Sequence, residues 1–272
     1  MRRETSRLVL LLLPAGVFFL AFFLLPLGRL FVIGGSGPEG FLAYAAIVTD
    51  SNYFTSLLST LALAAATTVA TLIVSGLSGV FLQRHKFPGN ALLVGMLTFP
   101  LAFPGVVIGF MVIMLAGRQG LIGDIAMRLT GEKIVFAYSM AGLFMGYVYF
   151  SVPRTILTVI AAAEKLDPKL EEAARSLGAS TWRVVLDVII PGLKPAFISA
   201  GAICFATAVG AFGTAFTLAT RINVLPMVIY TEFTMQANIV VAAALSFVLG
   251  AVTWIVLSIA RTAAGATVAA AG

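Results

Sequence analysis

Charge is scarce in this sequence: Asp, Glu, Lys and Arg together make up 10% of its 272 residues, against 60% apolar. Soluble domains carry roughly a quarter charged residues. A water-soluble fold of this composition would expose more apolar surface than such proteins tolerate. Histidine and cysteine are nearly missing, with His85 and Cys204 alone. A single cysteine excludes an intrachain disulfide and a cysteine metal cluster, and a single histidine with no ligand types beside it leaves no metal site. No Gly-x-x-x-x-Gly-Lys-Ser/Thr run occurs, so the loop that cradles ATP phosphates is missing. Paired carboxylates and a serine–histidine set are also missing, so the chain is read as a non-enzyme. Seventeen basic residues against eleven acidic leave a net +6. They are scattered among apolar runs and form no basic face for nucleic acid.

Long uncharged apolar runs are what the chain has in quantity. Crossing a bilayer core about 30 Å thick takes roughly 20 apolar residues. Six stretches qualify: about 8–28, 55–82, 90–116, 134–153, 196–219 and 238–260. Each must be helical, because an isolated strand would leave backbone groups unsatisfied in lipid. The first run is longer than the 7–15-residue core of a cleaved signal and is expected to be an uncleaved helix. The prediction is an all-α polytopic membrane protein with six transmembrane helices, one domain over 1–272. Six spans put both termini on one side, and the cytoplasm is the better choice. It places twelve basic residues inside, among them Arg2, Arg3, Arg7, Arg84, Lys86 and Arg154. Five remain outside: Arg29, Arg118, Arg128, Lys133 and Arg221. External segments then fall at 34–54, 117–133 and 220–237, and the largest cytoplasmic loop at 154–195. The small-residue tail after Arg261 is expected to fray. None of the six runs contains Asp, Glu, Lys, Arg or His, which argues against proton coupling; sodium coupling through broken helices stays open.

The 154–195 loop is the most informative segment. Asp167 suits an N-cap, Pro168 the first helical position and Gly178 a left-handed helix end. This predicts a helix of about ten residues, with Leu166, Leu170, Ala173, Ala174 and Leu177 on one apolar face. Lys169, Glu172, Arg175 and Ser176 lie off that stripe. Ser180 can cap a second helix carrying Trp182, Val185, Leu186 and Ile189, which Pro191 and Pro195 are expected to end. The capped helix is either a surface element lying on the membrane or a docking element for a cytosolic partner.

Glu172-Ala173-Ala174, then Gly178 after a three-residue gap, then Ile190-Pro191 after eleven more, resembles the EAA loop of binding-protein-dependent ABC importer permeases. Phe87-Pro88-Gly89 and the run from Phe99 to Gly109 are similar to the same family. Ser78-Gly79-Val80-Phe81 departs from it, standing where relatives often carry Pro-Leu-Ala-Tyr. The resemblance implies a type I importer fold in the inner (plasma) membrane of a bacterium. It assigns Glu171, Glu172, Ala173, Ala174, Arg175, Leu177, Gly178 and Pro191 to coupling with an ATPase. Glu172 would meet polar or basic groups there, and Gly178 would set the angle of the next helix. The implied partners are two ATP-binding subunits, a second permease (homologous or identical) and a periplasmic or extracellular substrate-binding protein. ATP and Mg would sit on the partner ATPase, with no cofactor in this chain. The Arg84-His85-Lys86 loop either touches that ATPase or is simply solvated.

Ala202, Ala206, Gly210 and Thr214 recur at four-residue spacing in span five, with Gly213 and Thr217 beside them. Such a stripe either packs helices closely or places Thr207, Gly210, Thr214 and Thr217 along a solute pathway. Pro100 and Pro104 in span three make either a kinked gate or a bent scaffold. Gly210-Ala211-Phe212-Gly213, Leu225 to Tyr230 and Ala242 to Ser246 are similar to the polyamine, iron, phosphonate and sulfate or molybdate group of the family. That likeness implies a small charged solute, polyamine-like or aminophosphonate-like first, with sulfate, molybdate, iron or thiamine as alternatives. An ion-coupled secondary carrier is the rival reading, and a non-transport assembly protein a third. Glu232 and Asp124 are expected to be external, solvated acids.

Overall fold

The computed structural model describes residues 2–218 and 222–264, with side chains from residue 11 to residue 262. The expected end of span five at 219, Arg221, the side chains of Arg2, Arg3 and Arg7, and the tail beyond 264 lie outside the described residues. Every regular element among the described residues is helical. In chain order these are α1 (Arg2–Phe19), α2 (Leu25–Gly34), α3 (Ala46–Thr49), α4 (Ser51–Arg84), α5 (Asn90–Thr98), α6 (Gly105–Ala116) and α7 (Leu121–Thr130). They continue with α8 (Met140–Glu164), α9 (Pro168–Ser176), α10 (Thr181–Val184), α11 (Ile190–Val209), α12 (Gly213–Leu218), α13 (Leu225–Thr234) and α14 (Ile239–Ala264). Among the described residues, six stretches are long and apolar enough to cross a bilayer: Leu11–Gly34, Ser51–Arg84, Gly105–Thr130, Met140–Glu164, Thr181–Val209 and Ile239–Thr262.

Several boundaries differ from the sequence reading, each for a physical reason. The run expected at 90–116 is broken. After α5, a tight 3-10 turn covers Phe99–Ala102, Phe103 is extended (φ −99°, ψ 134°), and α6 starts behind Pro104. A residue before proline is pushed out of the helical region, and here two prolines sit four residues apart. The fourth helix does not stop at 153: α8 runs through Pro153 to Glu164 and takes in Arg154. Most important, Pro191 and Pro195 do not end the helix that follows Ser180. A wide π turn at Val185–Ile189, in which the Ile190 amide reaches back to the Val185 carbonyl, leads straight into α11. The same device precedes Pro26, where a π turn at Leu20–Leu24 links α1 to α2. A wide turn just ahead of a proline relaxes the clash between its ring and the preceding carbonyls, so the helix continues. The segments expected outside the membrane at 117–133 and 220–237 contain α7 and α13.

The chain forms two compact units. One comprises 1–57 and 228–252. Its inner packing is aromatic: Phe31 lies 5.3 Å from Tyr44 and 4.9 Å from Phe247, ring centre to centre. The Tyr44 hydroxyl donates to the Phe31 carbonyl. Its outer face is apolar and open, with Leu11, Phe18 and Phe22 all more than half exposed, as a lipid-facing surface requires. Glu232, read from sequence as an exposed acid, is buried here at 4% exposure. Its Oε1 accepts from the Tyr53 hydroxyl at 2.8 Å.

The other unit comprises 58–227 and 253–272. Ile108, Leu143, Ile156, Val159, Leu193, Val209 and Leu218 are fully buried in it. Helices α6, α8 and α12 meet through glycines. A Cβ on Gly109 would stand 2.6 Å from Thr217 Cβ, whereas one on Gly95 in α5 would meet nothing within 4 Å. Gly109→Ala is therefore expected to lower the thermal midpoint in detergent, because overpacking costs about 1–3 kcal/mol. Gly95→Ala should raise it slightly through helix propensity, by up to about 1 kcal/mol. Equal midpoints for the two variants would contradict the close packing described.

Candidate functional site

Helix α9 is built by local chemistry. Asp167 Oδ1 accepts from the Lys169 amide at 3.0 Å, and Pro168 occupies the first turn, where no amide is needed. At the other end Gly178 adopts φ +85°. The Ala179 amide returns to the Ala174 carbonyl at 3.0 Å and the Gly178 amide to Arg175 at 2.9 Å. This is the left-handed helix end that glycine favours. Ser180 then caps α10 by accepting from the Arg183 amide.

The single apolar stripe expected for this helix is divided in the fold. Leu166 and Ala174 pack on a buried cluster of Val159, Ala163, Val184, Ile189 and Leu193. Leu170 (51%) and Leu177 (89%) are exposed, as is Ala173 between them. Trp182, expected to share a stripe with Ile189, is 69% exposed while Ile189 is buried. The neighbouring Val184 is the residue that turns inward. The outer surface therefore shows Leu170, Ala173, Leu177 and Trp182 beside the exposed Glu172 and Arg175, an apolar strip with a charged border.

Glu171 is not on that surface. Its Oε1 lies 2.5 Å from Arg84 Nη2, and the two side chains are only 16% and 20% exposed. Arg84 also reaches the Leu166 carbonyl at 3.5 Å. The sequence grouped Glu171 with Glu172, yet the fold turns Glu171 towards the end of α4 and leaves Glu172 outside. His85 stacks on Phe81 at 4.4 Å, and Asn90 donates to the Leu82 and His85 carbonyls, so the Arg84-His85-Lys86 loop is internally ordered. Pro191 lies one residue into α11, beyond the π turn rather than at the apolar strip.

The four residues proposed for a pathway separate in the same way. A cavity of about 260 Å³ is lined by Tyr147 and Phe150 on one side and by Thr207, Gly210 and Thr214 on the other. Thr214 spends its hydroxyl proton on the Gly105 carbonyl at 2.9 Å, and Tyr147 donates to the Ala211 carbonyl at 2.5 Å. Thr217 is outside this cavity; its hydroxyl lies between the Gly213 and Val106 carbonyls and serves helix packing. Phe150, Ser151 and Thr207 also line an adjoining recess with Arg154. Arg154 Nη1 donates to Thr207 Oγ1 at 3.4 Å. Sequence reasoning missed Arg154 here because it falls one residue past the expected end of an apolar run. Asp124 is exposed and paired with Lys133 at 3.1 Å. Among the described residues no three His, Cys, Asp or Glu side chains group as metal ligands would.

Residues 75–266 match the protein family described as "binding-protein-dependent transport system inner membrane component". The molybdenum transport system permease protein ModB of Escherichia coli K12 is 36% identical over 154 residues, covering 55% of this chain and 66% of that protein. Sulfate permease 2 of the Chlamydomonas reinhardtii chloroplast is 28% identical over 224 residues, covering 80% and 60%. The chain thus spans just under two thirds of the length of these relatives. A chain in the crystal structure of a bacterial alginate ABC transporter, in complex with a pentasaccharide-bound periplasmic protein, shares the fold. Its TM-score is 0.82 at 16% identity, over 95% of this chain and 93% of that one.

Proposed function

This chain belongs to the binding-protein-dependent transport system inner membrane components, the membrane permeases of ABC importers, and from that premise we propose that it carries a small oxyanion inward using ATP hydrolysed by a separate subunit. The observation that carries the ATP-driven reading is the outer surface of α9. Leu170, Ala173 and Leu177 stand exposed on a rigidly capped helix, on a chain whose sequence has no loop for ATP phosphates. Such a helix docks by seating apolar anchors in a partner's groove, with its charged border setting the register. In this reading Glu172, Ala173, Arg175 and Leu177 face the ATPase. Gly178 fixes the exit angle, Glu171 and Ala174 hold the helix from within, and Pro191 stands exposed in the first turn of α11, acting only on the path of that helix.

The assembly proposed has two ATP-binding subunits carrying ATP and Mg, a second permease identical or homologous to this one, and a substrate-binding protein on the far side. The membrane proposed is a bacterial inner membrane, with both termini in the cytoplasm. The names of the relatives favour sulfate or molybdate over the polyamine-like solute that the sequence resemblance put first. An aminophosphonate, which also presents oxyanion oxygens, is the alternative.

Purification of the tagged chain in mild detergent, with every stoichiometric partner identified by mass spectrometry, tests the assembly. An ATP-binding protein that is recovered with the wild type and lost with Leu177→Asp is the expected result. A chain that purifies alone and still accumulates solute in liposomes would overturn the reading in favour of an ion-coupled carrier.

A further inference from the structure

The groove along α8, α11 and α12 has an uneven supply of hydrogen-bond donors. Tyr147 and Thr214 have given their hydroxyl protons to the carbonyls of Ala211 and Gly105. Thr207 donates to the Ile203 carbonyl at 2.7 Å, and Thr158 to the Arg154 carbonyl at 3.0 Å. The protons of these four hydroxyls are thus committed to carbonyls, so none of the four can donate to an anion. Among the described residues lining the cavity and its adjoining recess, Arg154 is the one with a charge. A guanidinium has five N–H donors in a planar fork, and Arg154 is anchored through one of them to Thr207 Oγ1. Arg154, itself exposed, shares the lining of this recess with Ser151 and Thr155.

An unprotonated tetrahedral oxyanion has acceptor oxygens only, so it needs donors and positive charge together. A polyamine brings the opposite need and would meet repulsion at this point. We propose that Arg154, held by Thr207, is the oxyanion subsite of the pathway and sets the charge sign of the solute that passes. The proposal rests on the oxyanion reading above and adds the residue responsible. One such contact at moderate strength suits a pathway, where a solute must leave as readily as it enters.

The test uses the complete importer, purified with its own ATPase and binding protein and reconstituted in liposomes. Uptake of labelled molybdate, sulfate, 2-aminoethylphosphonate and putrescine is measured per ATP hydrolysed. The wild type is expected to take up at least one oxyanion and no putrescine. Arg154→Gln is expected to lower that oxyanion ratio by about tenfold, since hydrogen bonds to charged groups are worth roughly a factor of ten or more, while still co-purifying with the ATPase at wild-type yield. Arg154→Lys keeps the charge but not the fork and is expected to fall between the wild type and Arg154→Gln.

Putrescine uptake by the wild type in place of the oxyanions would overturn both the solute reading and this proposal. Oxyanion uptake by the wild type, with an unchanged ratio in Arg154→Gln, would overturn the Arg154 subsite alone. If Arg154→Gln fails to assemble, Arg154→Lys decides. Retained uptake supports the charge-based role, and complete loss in an assembled complex assigns the guanidinium to structure instead.

Discussion

Gly178→Val is expected to cut coupled uptake by about tenfold or more while leaving the chain in the membrane. The backbone there stands at φ +85°, where a β-branched residue is strained by roughly 1–3 kcal/mol. Relief of that strain breaks the Ala179–Ala174 return bond and lets α9 run on or tilt. Space is not the problem: a Cβ at this position would meet nothing within 4 Å in the isolated chain. That separates two causes. Asparagine tolerates the left-handed region far better than valine, so Gly178→Asn should keep most of the uptake if conformation alone matters. Loss in both variants, with the chain properly inserted, would mean that a partner surface approaches the glycine too closely for any side chain. Wild-type uptake in Gly178→Val would remove α9 from the coupling route.

The second large effect is expected at a pair of adjacent glutamates that behave differently. Glu171→Lys faces Arg84 with another cation where a 2.5 Å ion pair stood, both side chains being largely covered. Breaking covered pairs costs up to about 3–5 kcal/mol, and the remaining exposure brings the expectation to roughly 2–3 kcal/mol. The loss would be read as a lowered thermal midpoint together with lost uptake. The exchanged pair Arg84→Glu with Glu171→Arg should recover at least half of the midpoint, since contacting residues couple by about 0.5–3 kcal/mol. Glu172→Lys, one residue away and exposed, should leave the midpoint alone and weaken recovery of the ATPase instead. A Glu171→Lys midpoint equal to wild type, or a double exchange no better than the single change, would show that the pair does not position α9.

What could be read from the sequence was whatever is local. Asp167, Pro168, Gly178 and Ser180 announce the ends of their helices, because capping involves residues within a few positions of each other. The six apolar stretches announce themselves through bilayer thickness. Pairings across the fold left no such trace. Nothing in the spacing links Arg84 to Glu171, or marks Glu232 as the buried acceptor of the Tyr53 hydroxyl. Thr214 and Thr217 looked like pathway hydroxyls because a stripe of small residues has the same pattern whether it borders water or another helix. Only the positions of the Gly105, Val106 and Gly213 carbonyls show where those hydroxyl protons go. Pro191 misled for a related reason: a proline reads as a break in sequence, yet the helix continues past it, with a widened turn at Val185–Ile189 or without one at Pro153, and that choice is tertiary.

That widened turn has a mechanical meaning. From Ile190 to Val209 the helix is continuous, a rod about 30 Å long at 1.5 Å per residue. The π turn at its foot interrupts the regular helical ladder, and the buried Ile189 and Leu193 seat the foot in the cluster beneath α9. By lever geometry, a swing of only about 5° at that joint carries Thr207, near the far end, through roughly 2–3 Å. A displacement too small to unpack the base is thus large at the tip, comparable to the spacing between a hydrogen-bond donor and its acceptor. The anchoring oxygen of Arg154 rides on that tip, so a shift at the foot would be felt at the guanidinium as a bond made or released.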